Sequence, residues 1–394
     1  MVDLFKLLCY QAVYYAVKCI PARQQPRRLL LVKTDEIGDY MLIRNLLGAF
    51  RRSNAYGSHH ITFVGNIAFR QLFEAFDARA ADEAIWLDKL RFRRNLFYRF
   101  AILKRLRQAG FSDAVNLIYS RSFRMDDLLV AVSTSSNNIA MKTTDLPASA
   151  IERRLTPRRL YHRLEDAGEE TVFDAIRNAR FIYGILGMNP DPVTTRLAAS
   201  VPPTNISLPR AYFVVVPGAG NRKKRWPTEN FVAVARHLSL QYGLTPVICG
   251  SAADRQDTEP LSTALSGTAI DLADGSAIDL TGRTSLVGLL AVLKGAHCLI
   301  SVDTGAVHLA AAVGCPVFGL FSGFHYGRFA PYPREMATHF FAIYPDSTEE
   351  KVRVGLLVPR EVSMNLISEI PAEKVIRVIK TALQPVQGRE LQID

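Results

Sequence analysis

Four short stretches of this chain bring together residue types and spacings that can do chemistry. The first is Lys33-Thr34-Asp35-Glu36-Ile37-Gly38-Asp39. Gly38 allows a tight turn, and Asp39 falls where a helix begins, a place where free amides and the helix dipole stabilise a carboxylate. Such a group can take a proton from an attacking hydroxyl; it can equally be an ordinary helix cap. The second is Pro217-Gly218-Ala219-Gly220-Asn221-Arg222-Lys223-Lys224-Arg225-Trp226-Pro227. Its glycines admit a ligand to the backbone and its four cations suit a diphosphate. The spacing is neither that of a Walker loop nor that of a GxGxxG nicotinamide or flavin site. Arg222 and Lys223 read as solvated. The third, Ser301-Val302-Asp303-Thr304-Gly305-Ala306-Val307-His308, ends a buried strand and opens a helix of small residues. The amides of Thr304, Gly305 and Ala306 would face an anion there. Asp303 would accept from sugar hydroxyls, and His308 would face the same ligand one turn on. The alternatives are a capping Asp303 and a satisfied structural His308. The fourth, Phe321 to Tyr332, is rich in aromatics and glycine and suits either a nucleobase or a plain surface loop.

These loops need strands to end at them. Arg28–Lys33 is a short apolar run between turn signals and reads as a buried strand. A helix is expected over 39–52, a strand over 61–64, a helix over 67–76 and a strand over 114–118. After a proline-rich stretch, alternation restarts: strands at 212–216, 246–249, 298–302 and 316–321, helices at 228–241, 252–265, 285–295 and 305–313. A terminal helix follows Pro371. Strand–helix alternation of this kind means parallel sheets with helices on both faces. In doubly wound folds the ligand sits beyond the carboxyl ends of the strands, where all four stretches fall. The expected organisation is an amphipathic helix over 1–26, an α/β domain over 27–190, a linker over 191–210, a second α/β domain over 211–370 and a terminal helix over 371–394.

The 394 residues are 48% apolar and 22% charged, which excludes a disordered chain, a collagen and a multi-span membrane protein. Net charge is +11, so anionic partners are favoured. Five scattered cysteines without a CxxC pair read as buried thiols rather than a disulfide framework or zinc site. Residues 4–20 are apolar but interrupted by Lys6, Gln11 and Lys18. They read as a helix lying on an anionic leaflet or docked on the protein's own core. Two basic clusters stand out. Lys89, Arg91, Arg93, Arg94, Arg99, Lys104, Arg105 and Arg107 occur with no acid among them, and Arg153, Arg154, Arg158, Arg159 and Arg163 form the second. Anionic lipid or lipid saccharide suits these surfaces, and no recognised nucleic-acid module is present.

At its motifs the chain resembles glycosyltransferase family 9, the ADP-heptose:lipopolysaccharide heptosyltransferases. The stretches that carry the likeness are Lys33-Thr34-x-x-Ile37-Gly38-Asp39, Pro217-Gly218-Ala219 with Lys224-Arg225-Trp226-Pro227-x-Glu229-x-Phe231, Leu280-Thr281-Gly282-Arg283-Thr284-Ser285-Leu286, and Asp303-Thr304-Gly305-x-x-His308-Leu309-Ala310-Ala311. The resemblance implies a GT-B fold: two Rossmann-like, doubly wound α/β domains facing a cleft, with the C-terminal helix crossing back to the first domain. It implies inverting, metal-independent transfer of a heptose or related sugar from an ADP-sugar donor to a lipopolysaccharide-type lipid-linked saccharide. By the same likeness Asp39 is the catalytic base and Lys224 holds the diphosphate. Asp303 meets the donor sugar, Thr304 and Gly305 form the phosphate turn, and Gly218 and His308 belong to the donor site. Lys33, Thr34 and Gly38 fall on the acceptor side. No metal or other cofactor is expected, and no Asp-x-Asp pair occurs in the sequence. A cytoplasmic location is implied, with peripheral contact on the inner membrane and no nucleic-acid partner. Two departures fall on the acceptor side: Asp35 and Glu36 stand where many members have small hydroxyl residues, and Asn45 where many have proline. A catalytically silent nucleotide- or glycan-binding protein, or another nucleotide-sugar enzyme such as an epimerase, are the other readings.

Overall fold

The computed structural model describes residues 2–143, 159–266, 277–384 and 392–393. The chain divides into two units, Met1–Val193 and Thr194–Asp394. In the first, strands β1 (Arg28–Lys33), β2 (His60–Asn66), β3 (Glu83–Leu87), β4 (Asp113–Asn116), β5 (Asn137–Met141) and β6 (Arg163–Glu165) pair in parallel, in the order β3-β2-β1-β4-β5-β6. Leu29 to Val32 of β1 are all buried, as expected of a strand covered on both faces. Its helices include α1 (Val2–Lys18), α2 (Ile37–Met41), α3 (Lys89–Arg94), α4 (Leu96–Ala109), α5 (Asp126–Val132) and α6 (Asp174–Leu186).

The helix expected over 39–52 is broken into α2, a tight turn at Arg44–Leu46 and a short helix at Gly48–Arg52. The Leu42 carbonyl accepts from the Asn178 side-chain amide at 3.1 Å. The Leu46 amide bonds to Ile43 instead, at 2.8 Å. Arg44 is drawn inward to a two-point ion pair with Asp77, at 2.9 and 2.8 Å. The helix expected over 67–76 is a chain of short irregular turns, with the Phe63 and Phe73 rings stacked 4.7 Å apart.

Helix α1 docks on α4 and α5 of its own unit. Leu7, Gln11, Tyr14 and Val17 are buried, and the Tyr10 hydroxyl donates to the Arg93 carbonyl at 2.5 Å. The Arg99 guanidinium, fully buried, lies 3.8 Å from the centre of the Tyr10 ring and 4.4 Å from that of Phe92. Burial lowers its pKa to about 10.

The second unit repeats the plan. Strands β7 (Tyr212–Val216), β8 (Thr245–Ile248), β9 (Ile278–Asp279), β10 (Leu299–Val302), β11 (Val317–Leu320) and β12 (Phe340–Ile343) are parallel, in the order β12-β11-β10-β7-β8-β9. Helices α7 (Thr228–Tyr242), α8 (Arg255–Ser266), α9 (Leu286–Gly295), α10 (Gly305–Val313) and α11 (Ala372–Ala382) accompany them. Counted from its own first strand, each unit has the doubly wound order 3-2-1-4-5-6, with a switch point beside that first strand.

Two expectations about organisation change. The stretch expected as a linker over 191–210 is partly built into the second unit: Thr195 and Val201 are buried, and the Leu197 amide bonds to the Ala312 carbonyl at 2.8 Å. The terminal helix, expected to cross to the first domain, buries Val375, Ile379 and Ala382 in the core of the second unit, beside Val234 and Leu238 of α7. Apolar spacing identifies such a helix but not the partner its stripe meets. Of the second basic cluster, Arg153, Arg154 and Arg158 lie outside the described residues.

Candidate functional site

The second unit's switch point lies between β7 and β10. The loop after β7 carries Lys224 and the loop after β10 carries Asp303. Their side chains pair at 2.7 Å, and the ammonium also reaches the Asp303 carbonyl at 3.4 Å. His325, from the loop after β11, approaches the same carboxylate at 3.7 Å. Burial alone would raise the Asp303 carboxyl; the Lys224 ammonium, with His325, holds it well below the ordinary carboxylate range. Burial pushes the His325 imidazole down, against the pull of Asp303. Asp303 is thus a buried, persistently ionised group with its cation at the entrance of α10.

Thr304 is the N-cap of α10, with Gly305 its first residue. The Thr304 hydroxyl accepts from the Ala306 amide at 3.3 Å, so one of the three amides expected to face an anion is committed to the cap. His308 is buried and its Nδ1 lies 2.7 Å from the Tyr332 hydroxyl. This contact fits the structural alternative for the histidine, and Tyr332 ties α10 to the fourth loop. Gly218 has an internal reason to be glycine: a Cβ there would stand 2.6 Å from Cγ of Asp254. Of the loop's other cations, Arg222 and Lys223 are exposed. Arg225 turns to Asp257 at 2.8 Å, lining a cavity of about 300 Å³ with Trp226, Thr228 and Gln256.

The first unit's switch point lies between β1 and β4. Lys33 is buried and bridges the two loops there, pairing with Asp35 at 2.8 Å and donating to the Leu117 carbonyl at 3.3 Å. The Thr34 hydroxyl donates to Asp126 at the start of α5. Asp39 is the third residue of α2, not its cap, and its carboxylate accepts the Glu36 amide at 3.3 Å. Glu36 pairs with Lys89 at 2.5 Å. Gly38 lies within α2 and is absent from the left-handed glycines, so the turn expected there does not depend on it. Burial raises the Asp35 carboxyl to about 7; Lys33 opposes the rise and Asp39 adds to it. Its Oδ1 is buried with no hydrogen-bond partner among the described residues.

Lys33, Thr34, Gly38 and Asp39 are thus together in the first unit, and Gly218, Lys224, Asp303, Thr304, Gly305 and His308 in the second. Sequence reasoning missed His325 as a partner of Asp303 and Asp126 as a partner of Thr34. The first lay in a loop read only for its aromatics. The second had no local signal at all. Among the described residues no group of three His, Cys, Asp or Glu side chains is gathered as a metal cluster would be.

Comparison with known proteins places these loops in a wider context. Residues 177–353 match the model of glycosyltransferase family 9 (heptosyltransferase). The lipopolysaccharide core heptosyltransferase OpsX of Haemophilus influenzae is 26% identical over 179 residues, which are 44% of this chain and 49% of that protein. The chain therefore spans about half the length of this curated relative. Among solved structures, a family 9 glycosyltransferase from Veillonella parvula aligns over 91% of this chain and 97% of its own, with TM-score 0.64 and 19% identity. The E. coli heptosyltransferase WaaC with ADP-2-deoxy-2-fluoro heptose aligns over 90% and 99%, with TM-score 0.61 and 19% identity. These likenesses give the fold: two Rossmann-like units in one chain, as in GT-B proteins.

Proposed function

Because residues 177–353 match the model of glycosyltransferase family 9 (heptosyltransferase), we propose that this chain is a member of that family and moves a heptose or related sugar from an ADP-sugar to a lipopolysaccharide-type lipid-linked saccharide. Transfer proceeds with inversion and without a metal ion. The acceptor hydroxyl oxygen bonds to the anomeric carbon from the side opposite the diphosphate. The bond from that carbon to the diphosphate oxygen breaks, and its electron pair leaves with ADP. Asp39 takes the hydroxyl proton as it is released. Lys224 and the amides at Thr304 and Gly305 meet the charge that develops on the diphosphate. Asp303 accepts hydrogen bonds from the donor sugar, and Gly218 keeps the β7 loop close to Asp254. His308 fixes the first turn of α10 through Tyr332. Lys33, Thr34 and Gly38 shape the acceptor side. The enzyme works at the cytoplasmic face of the membrane that carries its acceptor.

The observation that carries this reading is the 2.7 Å Lys224–Asp303 pair at the start of α10. A buried carboxylate with a cation and a helix N-terminus beside it can hold both ends of a sugar diphosphate. The test is transfer from ADP-heptose to purified lipid-linked acceptor, with the anomeric configuration of the product read by NMR, and calorimetry with ADP beside it. Asp39→Asn should keep ADP binding while turnover falls by about 10²- to 10⁴-fold. Undiminished turnover removes Asp39 from its role. Binding without transfer by the unaltered chain supports a silent binding protein, and an isomerised free sugar nucleotide supports an epimerase.

A further inference from the structure

The helix α1 wears its amphipathicity the wrong way round for a helix that merely docks. Placed at 100° per residue, Lys6, Gln11 and Lys18 share one arc. That arc overlaps the docked side: Gln11 is buried and the Lys18 ammonium reaches the Ala131 carbonyl at 3.5 Å. The opposite side, Leu8, Ala12, Tyr15, Ala16 and Cys19, carries no charge and is exposed. Leu8 is 59% and Tyr15 63% accessible. Beside it runs α4, tied to the end of α1 by Arg107, which donates to the Lys18 and Ile20 carbonyls, while the Tyr10 hydroxyl holds α1 to Arg93 of α3. The α4 face turned to solvent begins with Phe97, 88% accessible, and continues through Ala101 to Lys104. Exposed Arg93, Arg94 and Lys104 lie close to Phe97 and Ala101 along the chain, and residues 89–107 hold no acid. Scattered exposed apolar residues need no explanation, but two packed helices that each turn uncharged residues to solvent beside a run of cations do.

We infer that the outer faces of α1 and α4 form a docking surface for an anionic phospholipid bilayer, with Leu8, Tyr15 and Phe97 entering the headgroup region and Arg93, Arg94 and Lys104 meeting lipid phosphates. Opposite charge selects this occupant: apolar side chains supply insertion, and each cation near an anionic leaflet adds attraction. The surface deepens the proposed use of a lipid-linked acceptor and rests on that reading only for its purpose, not for its existence.

The test is flotation of the full chain with phosphatidylcholine vesicles and with vesicles doped with phosphatidylglycerol. The chain should float with doped vesicles and be released by added salt. Tyr15→Glu combined with Phe97→Glu should lower partitioning by about tenfold or more. Arg94→Gln and Lys104→Gln should each lower it by about fivefold, on doped vesicles only. An environment-sensitive dye on Cys19, in a Cys9→Ser background, should shift to the blue when doped vesicles are added. Circular dichroism and thermal melting check that each variant folds, and calorimetry with ADP is run beside them. Flotation without ADP binding keeps the surface and overturns the donor reading. Equal binding to both vesicle types, no binding, or loss of a dimer in place of lost flotation in the Phe97 variant overturns the surface.

Discussion

Both units place a lysine–carboxylate pair at the same point of the same strand order, and the two pairs behave in opposite ways. Lys33 meets Asp35 at 2.8 Å and Lys224 meets Asp303 at 2.7 Å. Asp35 is pushed up to about 7 by burial, and Asp303 is held far below its ordinary range despite burial. The neighbours decide it. Asp35 has Asp39 close by and an unpartnered oxygen; Asp303 has His325 in addition to its lysine. One end is arranged to take up a proton and the other to keep a fixed negative charge beside a cation. A single ion-pair distance says little about protonation until every charge around it is counted.

Four substitutions sharpen or break this contrast. The largest effect is the collapse of turnover in Asp39→Asn described above, because it removes the proposed proton acceptor while leaving the second unit untouched. Next, Lys224→Gln should weaken ADP by about 10- to 100-fold, the value of a charge-assisted contact. Calorimetry showing unchanged affinity would mean the Lys224–Asp303 pair is only structural. Third, the raised Asp35 lets the folded state hold a proton that the unfolded chain releases at its normal carboxylate pKa. Its contribution to stability is therefore complete at low pH and lost as pH climbs through about 7. Asp35→Asn should flatten that part of the stability–pH curve by about 1–3 kcal/mol, read from denaturant titrations at several pH values. An unaltered slope would place the titration elsewhere. Smallest, His325→Gln should weaken ADP by only about two- to fivefold, since a neighbour that acts through Asp303 contributes less than a direct contact. A loss as large as that of Lys224→Gln would mean His325 touches the nucleotide itself.

How much of this was legible in advance differs between strands and partners. β1, β7 and β10 announce themselves as unbroken apolar runs that end in glycine or charged residues, which is why the motif-bearing loops could be located. β3, β5, β6 and β9 carry no such signal. Glu83-Ala84-Ile85-Trp86-Leu87 and Asn137-Asn138 mix polar and apolar residues without a clear period, and β6 and β9 are only three and two residues long. Such strands exist because a neighbour supplies the ladder, which no local pattern records. The pairings of Thr34 with Asp126 and of Asn178 with Leu42 cross 92 and 136 residues. Long-range pairs of this kind come from topology, so sequence located the loops and left their inner wiring unread.

The guanidinium of Arg99, enclosed between the rings of Tyr10 and Phe92, bears on how this protein can be trimmed. An expression clone begun at Pro21 would strip away one wall of that enclosure and leave a cation in greasy surroundings with nothing above it. The opening seventeen-residue helix is consequently part of the masonry of the first unit.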